Sequence, residues 1–369
     1  MRRGETITFV QPALPHYRQA FFSKIYATDQ TSGAMYYSPK GSAIIGPDDV
    51  AADWARSVGP VRMLPLGFMW QSRALAVPIR RGDIVVIWGN PRCLSNAVLI
   101  LKARLLGART VWWGHYWSAT TRTWRLVLRL WLMRCTHAVL FYTDAEVDAY
   151  HARTGNRDPR PIMALNNGLD LAPIEAGRQP YDATDRDESA LFIGRLTTKA
   201  HLNRMLTAMT DPRLAGLHLH VVGDGPEAAT LRAMADNFGV ATRITWHGAT
   251  TDEARIAQIA NRCRIFVYPG AVGLSLIHAM AYGLPSVVHS DRWRQMPEIA
   301  AFEANRTGRT FDPASSTDLA DQIAALIKDY ESLGAYAQRC MAVTAKSFNV
   351  DDMVVRFKAL IAALPGPHS

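Results

Sequence analysis

The chain has 369 residues, room for two domains at about 150 residues each. Hydrophobic residues make up 49% and charged residues 20%, the balance of a folded globular protein, which excludes general disorder. No apolar run reaches the ~18 residues needed to span a bilayer. The net charge of +9 is unevenly spread. Residues 1–170 hold 21 Lys or Arg against 11 Asp or Glu, and residues 171–369 hold 20 against 21. A surplus confined to the first half predicts an anionic partner there: nucleic acid, a membrane surface or an acidic substrate. No nucleic-acid module accompanies the charge, which is scattered over strands, helices and loops. The start leads from Met1 straight into a short strand-like run, too short for the core of a signal peptide, so a cytoplasmic location is expected. Cys93, Cys135, Cys263 and Cys340 form no CxxC pair, which predicts single buried thiols rather than a metal cluster or disulfide framework.

Short β-branched and aromatic runs alternate with longer stretches of helical period, the pattern of a parallel α/β sheet. In the first half the expected strands are Thr6–Val10, Asp83–Trp88, Arg109–Gly114, Ala138–Tyr142 and Pro161–Leu165. Helices are expected between them at about 17–27, 94–106, 121–135 and 144–152. The polar stretch 173–188 reads as a linker. A second series follows, with strands at Ala190–Gly194, Leu217–Val222, Ile244–His247, Ile265–Tyr268 and Ser286–His289, and helices at about 202–209, 226–238, 252–261 and 274–282. The expectation is an α/β protein of two Rossmann-like domains, residues 1–172 and 189–346. A C-terminal helix in 347–369 closes the fold or crosses back to the first domain.

Three consecutive strand exits of the second half carry glycine: Gly194, Gly223 (followed by Asp224) and Gly248. Ligands of open α/β sheets bind outside the carboxyl ends of strands, and glycine there lets a nucleotide approach the backbone. A turn alone also needs glycine, so it is the three together that predict a pocket. Gly273, followed by Leu274 and Ser275, falls at a loop-to-helix junction whose free N–H groups suit a phosphate. His278 lies one turn further in, either as a ligand contact or as a satisfied core histidine. Arg195 and Lys199 follow a strand directly. They are solvated loop charges unless a diphosphate sits beside them, in which case they neutralise a leaving group.

In the first half, Gly114-His115 ends a strand among aromatic residues, and a turn facing the interdomain cleft suits a sugar-binding wall or acid–base work. Simple aromatic packing explains the same residues. In the apolar helix that follows, Arg122, Arg125 and Arg129 share one stripe, either resting on anionic lipid or forming the wet edge of a core helix.

The second half resembles the nucleotide-sugar domain of family 4 glycosyltransferases. The resemblance rests on Gly194-Arg195-Leu196 with a nearby Lys, Gly223-Asp224-Gly225-Pro226, His247-Gly248, Gly273-Leu274 before His278-Ala279-Met280-Ala281 and Gly283-Leu284-Pro285, and Pro297-Glu298. Asn167-Gly168-Leu169-Asp170 resembles the segment that ends the family's first domain. The fold implied is GT-B, with two Rossmann-like domains facing a cleft. The activity implied is retaining, metal-independent transfer of a sugar from a nucleoside diphosphate to a glycan or lipid-linked acceptor, in bacterial surface-polysaccharide synthesis. No cofactor is expected, and an anionic membrane surface is a further expected partner of the first domain, on the inner face of the membrane.

By the same resemblance, Arg195 and Lys199 carry the diphosphate charge and His115 positions the donor sugar. Gly194, Gly223, Asp224, Gly248, Gly273, Leu274, Ser275 and His278 line the donor site. The loop from Pro12 to Arg18 resembles a Leu-Pro-x-Tyr-Arg version of the family's N-terminal loop, which places Pro15, His16, Tyr17 and Arg18 on the acceptor side. Two departures stand out. Gly270 and His278 replace a family Glu-x7-Glu pair whose second member holds the ribose, and Ala200 takes the position of the family's Lys, one residue after Lys199. A sugar-nucleotide epimerase of similar fold, or a non-catalytic sugar-nucleotide-binding protein, fits the same residues.

Overall fold

The structure, a computed structural model, describes residues 6–27, 32–39, 50–116 and 123–366. It divides into two compact units, residues 1–166 with 350–369, and residues 167–349.

In the first unit β1 (Thr6–Val10) leads through Pro15 into α1 (His16–Tyr26) and β2 (Ser32–Tyr37). Then come β3 (Ala55–Ser57), β4 (Val61–Met63), β5 (Met69–Gln71), β6 (Ile84–Trp88), α2 (Leu94–Leu105) and β7 (Arg109–Trp113). The series closes with α3 (Thr123–Arg134), β8 (Ala138–Phe141), α4 (Asp144–Thr154) and β9 (Ile162–Ala164). Seven parallel strands form one sheet in the order β3-β2-β1-β6-β7-β8-β9, with β4 and β5 as a separate antiparallel pair. Alternate residues of each strand serve opposite faces. Phe9, Val111 and Trp113 join one core cluster, while Val10 and Trp112 join the other. Both faces are therefore covered, as a parallel sheet requires.

The last helix, Val350–Ala362, belongs to this first unit. It buries Val350, Met353, Val354, Phe357, Leu360 and Ile361, a helical stripe that places the Phe357 ring 5.2 Å from Phe9.

The second unit runs α5 (Ala172–Gly177), β10 (Asp187–Ile193), α6 (Leu202–Ala208), β11 (His218–Val222), α7 (Ala228–Asn237), β12 (Ile244–Gly248), α8 (Glu253–Ala260) and β13 (Cys263–Tyr268). It continues with α9 (Leu274–Ala281), β14 (Ser286–His289), β15 (Gly308–Phe311), α10 (Asp318–Ile327) and α11 (Tyr330–Lys346). Its six parallel strands take the order β12-β11-β10-β13-β14-β15. Numbered within the unit this is 3-2-1-4-5-6, the Rossmann order, and the direction of winding reverses between β10 and β13.

Several expectations need correction. Residues 173–188 are no linker, since they hold α5 and the start of β10. Tyr181 donates its hydroxyl to the Arg264 carbonyl, and the Arg186 guanidinium is buried against the carbonyls of Ala260 and Cys263. The chain crosses between units at 166/167 and again at 349/350. The stripe of arginines on α3 is contradicted at Arg129 alone. Arg122 and the Arg125 side chain lie outside the described residues, and Arg129 is buried, donating to the Tyr116 carbonyl at 2.9 Å.

Candidate functional site

The reversal between β10 and β13 creates a crevice at their carboxyl ends, and the glycines of the second unit shape it. Gly194 donates its N–H to the Val222 carbonyl and Gly223 donates to Gly248, so three strand exits form one backbone ladder. At Gly223 the backbone has φ +149°, and a Cβ would lie 1.9 Å from the Gly194 oxygen, so no other residue fits. A Cβ on Gly270 would lie 2.1 Å from the Lys199 carbonyl. The loops after β10 and β13 thus meet backbone to backbone at the reversal. Asp224 is exposed and turns its carboxylate back to the Gly225 N–H.

Arg195 and Lys199 stand exposed on the loop after β10, and neither side chain has a hydrogen-bond or ion-pair partner among the described residues. Across the reversal, α9 begins at Gly273 without a side-chain cap. The Leu276 N–H turns back to the Gly273 carbonyl, while Leu274 and Ser275 occupy the first two helical positions, whose N–H groups have no partner within a helix. The positive end of a helix dipole and two exposed cations therefore lie on two loops that meet at the reversal, an arrangement for an anion.

Residues the sequence reading did not place in the site brace this crevice. Gln295 accepts the Val272 N–H at 2.8 Å and donates to the His289 carbonyl, holding the loop before α9. Glu298 is 4% exposed. One of its oxygens accepts from the Asn167 amide at 2.7 Å, and the other is unbonded among the described residues, 3.7 Å from where a Gly273 Cβ would stand. That oxygen is an acceptor at the mouth of α9, suited to a hydroxyl.

His278 is neither solvated nor a simple core histidine. Its Nε2 lies 2.8 Å from Glu253 Oε1, and the same carboxylate oxygen accepts the Tyr282 hydroxyl. Burial raises the Glu253 carboxyl, but the His278 and Tyr282 contacts outweigh it and leave the group below its usual range. The carboxylate missing at position 278 is thus present one helix away. The only sequence signal for Glu253 is its place just after the helix-capping Asp252.

In the first unit the residues expected on the acceptor side fall at the equivalent reversal, between β1 and β6. Pro15, Tyr17 and Arg18 line a cavity of about 240 Å³ there, whereas His16 is exposed and is not among the lining residues. His115 stands at the end of β7, half-exposed, with its ring 4.3 Å from Tyr142 and Nδ1 3.5 Å from Glu146 Oε1. Glu146 is fully buried and accepts the N–H groups of Tyr116, Tyr142 and Thr143. Its sequence signal was legible: Thr143-x-x-Glu146 is a capping box at the start of α4.

Comparisons with known proteins bear on the fold and the enzyme class. The fold is shared with HepE of Anabaena, solved with UDP, at TM-score 0.68 and 17% identity, covering 98% of this chain and 100% of that one. It is shared with sucrose-phosphate synthase of Thermosynechococcus elongatus at TM-score 0.69 and 14% identity, covering 97% and 98%. The two Rossmann-like units are therefore those of the GT-B class. Residues 174–340 match the family glycosyl transferases group 1. Over 308 residues, 76% of this chain and 78% of the relative, the sequence is 29% identical to a GDP-mannose-dependent alpha-(1-6)-phosphatidylinositol monomannoside mannosyltransferase of Mycobacterium tuberculosis. Over 142 residues it is 25% identical to N-acetyl-alpha-D-glucosaminyl L-malate synthase of Bacillus anthracis, a match covering 38% of this chain and only 36% of that relative. The chain is a glycosyltransferase with the GT-B fold, and most of its second unit, residues 174–340, matches the group 1 glycosyltransferase family.

Proposed function

We propose that the protein moves a sugar from a nucleoside-diphosphate sugar to a hydroxyl of a glycan or lipid-linked acceptor, as a family 4 enzyme of bacterial surface-polysaccharide synthesis. The observation that carries this is the pair of cations Arg195 and Lys199, without a side-chain partner among the described residues, on the loop that meets the one before the uncapped start of α9. As the bond from the anomeric carbon to the diphosphate breaks, negative charge grows on the leaving oxygen. Preplaced cations and N–H groups stabilise that charge more in the transition state than in the bound donor. A retaining reaction needs no separate carboxylate base, because the leaving phosphate oxygen takes the proton of the acceptor hydroxyl as the new bond forms. The cations supply the stabilisation for which other enzymes use a metal. The Glu253–His278 pair and the free oxygen of Glu298 are positioned to accept from donor hydroxyls. His115, whose Nδ1 lies 3.5 Å from Glu146 Oε1, positions the sugar.

The first unit is proposed to rest on anionic lipid, through a different face from the arginine stripe. α2 exposes Leu94, Val98, Leu101 and Leu105, and α3 exposes Val127 and Trp131. Residues 84–143 hold no Asp or Glu and eight Lys or Arg, of which Arg109 and Arg129 are buried, a balance that complements an acidic bilayer. Among the described residues no helix is long and apolar enough to cross a membrane.

The test is thermal stability with UDP, GDP, ADP and dTDP and their common sugars, in the presence of EDTA. A ligand at 100 times its dissociation constant adds about 2.7 kcal/mol. A selective shift, followed by transfer to an acceptor with the anomeric configuration retained in the product, is the expected outcome. Conversion of the donor sugar without acceptor marks an epimerase instead, and no shift with any nucleotide overturns the donor site.

A further inference from the structure

The hairpin of β4 and β5 carries an apolar tip that stays uncovered among the described residues. Leu66 is 89% exposed and Met63 56%, with Pro65 exposed between them. Leu66 also holds a left-handed backbone, φ +60°, of the kind that glycine and asparagine take at least cost. A leucine there is unfavourable twice, in backbone strain and in exposed apolar surface. The tip is nonetheless firmly held. Leu64 and Phe68 donate their N–H groups to the carbonyls of Phe68 and Pro65, and Pro65 has no N–H to desolvate. At the base, Val61, Met69 and Cys93 pack together, and the Gln71 N–H goes to Ser95 Oγ at 3.0 Å. The buried Gln71 amide donates to the Gln11 carbonyl at 2.8 Å, and Gln11 lines the cavity at the β1–β6 reversal. Tip and cavity thus share one support.

Cations surround the tip. Arg62 and Arg73 are exposed, and Arg92 Nη1 lies 3.9 Å from where a Gly67 Cβ would stand. None of these three side chains has a hydrogen-bond or ion-pair partner among the described residues. Residues 54–82 hold five arginines, all exposed, and no Asp or Glu. The apolar surface continues from the hairpin base onto α2, where Leu94 follows Cys93 and shares one helical face with Val98, Leu101 and Leu105. Three side chains on a convex turn fall far short of the roughly 800 Å² per partner that a stable dimer buries. An apolar point ringed by unpaired arginines matches instead the boundary of an acidic bilayer, where the point enters the acyl region and the guanidinium groups meet phosphate. We propose that the β4–β5 hairpin dips into an acidic membrane through Leu66 and Met63, and so holds the cavity at the β1–β6 reversal beside the headgroup layer. The inference rests on the lipid contact proposed above for the first unit and names the element that enters the bilayer.

The test uses the full chain and phosphatidylcholine vesicles with and without phosphatidylglycerol. Leu66→Cys carries an NBD label, and Leu105→Cys carries one on α2. The unsubstituted protein, whose Cys93, Cys263 and Cys340 are buried, is the labelling control. With phosphatidylglycerol present, the label at position 66 should shift to the blue and be quenched by nitroxides on the acyl chains. Leu66→Glu should weaken vesicle binding at least tenfold. Leu66→Gly, which relieves the left-handed backbone, should keep or raise the melting temperature and still weaken binding severalfold, which a purely structural leucine would not do. Leu66→Trp should bind as the unsubstituted protein does. Vesicle binding with quenching at position 105 but not at 66 overturns this inference and leaves the lipid contact of α2 and α3 standing. Quenching at 66 alone upholds the hairpin and sinks the α2 and α3 face. No binding that depends on phosphatidylglycerol sinks both. A dimer that Leu66→Glu dissolves, without vesicle binding, assigns the tip to a second copy and overturns the inference. Nucleotide-induced thermal shifts, which these variants should leave unchanged, keep the transferase reading separate.

Discussion

The two units wind their sheets in the same order and reverse it at the same place, yet the crevices that result are made of different material. In the second unit the crevice is backbone: Gly194, Gly223, Gly248 and Gly270 bring strand exits within contact of one another, and charge enters on two exposed side chains. In the first unit the crevice is side chain: Trp88, Trp113 and Tyr142 wall it, and Arg18 is buried within it. Shared topology supplies a place to bind, and the residues after each strand decide what binds. A diphosphate is met best by N–H groups and cations, which only a close backbone can assemble. A sugar ring is met best by flat apolar faces.

The sharpest way to break this contrast is Gly223→Val. A Cβ 1.9 Å from the Gly194 oxygen has nowhere to go, so the second unit should lose about 4 kcal/mol or more, or fail to fold, when followed by urea denaturation. Arg195→Ala separates binding chemistry from framework. Turnover should fall about 10²- to 10³-fold, in line with losing one charge-stabilising group, while the melting temperature stays nearly constant because the side chain is exposed.

Acid should attack the second unit at its sheet edge. His220 donates to or accepts from His247 at 3.1 Å, and its ring lies 4.8 Å from His218. Burial, reinforced by His218 and His247, pushes His220 down to about 4 from an ordinary 6.5. The unfolded chain therefore takes up a proton there before the folded one does. Stability should be constant above pH 6.5 and fall on the order of 3 kcal/mol toward pH 4. Urea titrations at several pH values check this, and His220→Gln should flatten the slope.

A smaller effect is expected in the first unit from Glu146→Gln. One carboxylate oxygen receives the Tyr116 N–H and the other receives those of Tyr142 and Thr143. Either orientation of the amide sets its NH₂ against a backbone N–H, costing about 1–3 kcal/mol. If His115 depends on Glu146 for its position, turnover falls by more than the fraction of protein unfolded.

Much of this architecture was readable from periodicity, and what was missed shares a physical cause. β2 (Ser32–Tyr37) lacks a β-branched run, and its Gly33 is needed because a Cβ would lie 1.9 Å from the Ile7 oxygen of the neighbouring strand. β13 begins two residues earlier than expected because Arg264 lies inside it, with its guanidinium buried against the carbonyls of Ala183 and Arg186. A charge inside a strand reads as a boundary until those partners are seen. β15, α10 and α11 went unassigned. In the candidate site, Glu253 escaped notice and Asn167 was read only as part of a domain-ending segment, because their partners lie 25 and 131 positions away.

By itself the sequence determined the local terms: which segments are strand or helix, where glycine must stand at a strand exit, and that charge gathers in the first half. Those follow from backbone sterics and side-chain periodicity, which act within a few residues. Only the tertiary structure decided that Glu253 joins His278, that Arg129 is buried rather than facing water, and that Arg18 lies on Trp113. Each depends on which strands lie side by side, and burial and hydrogen bonding between distant residues exist only once that order is set.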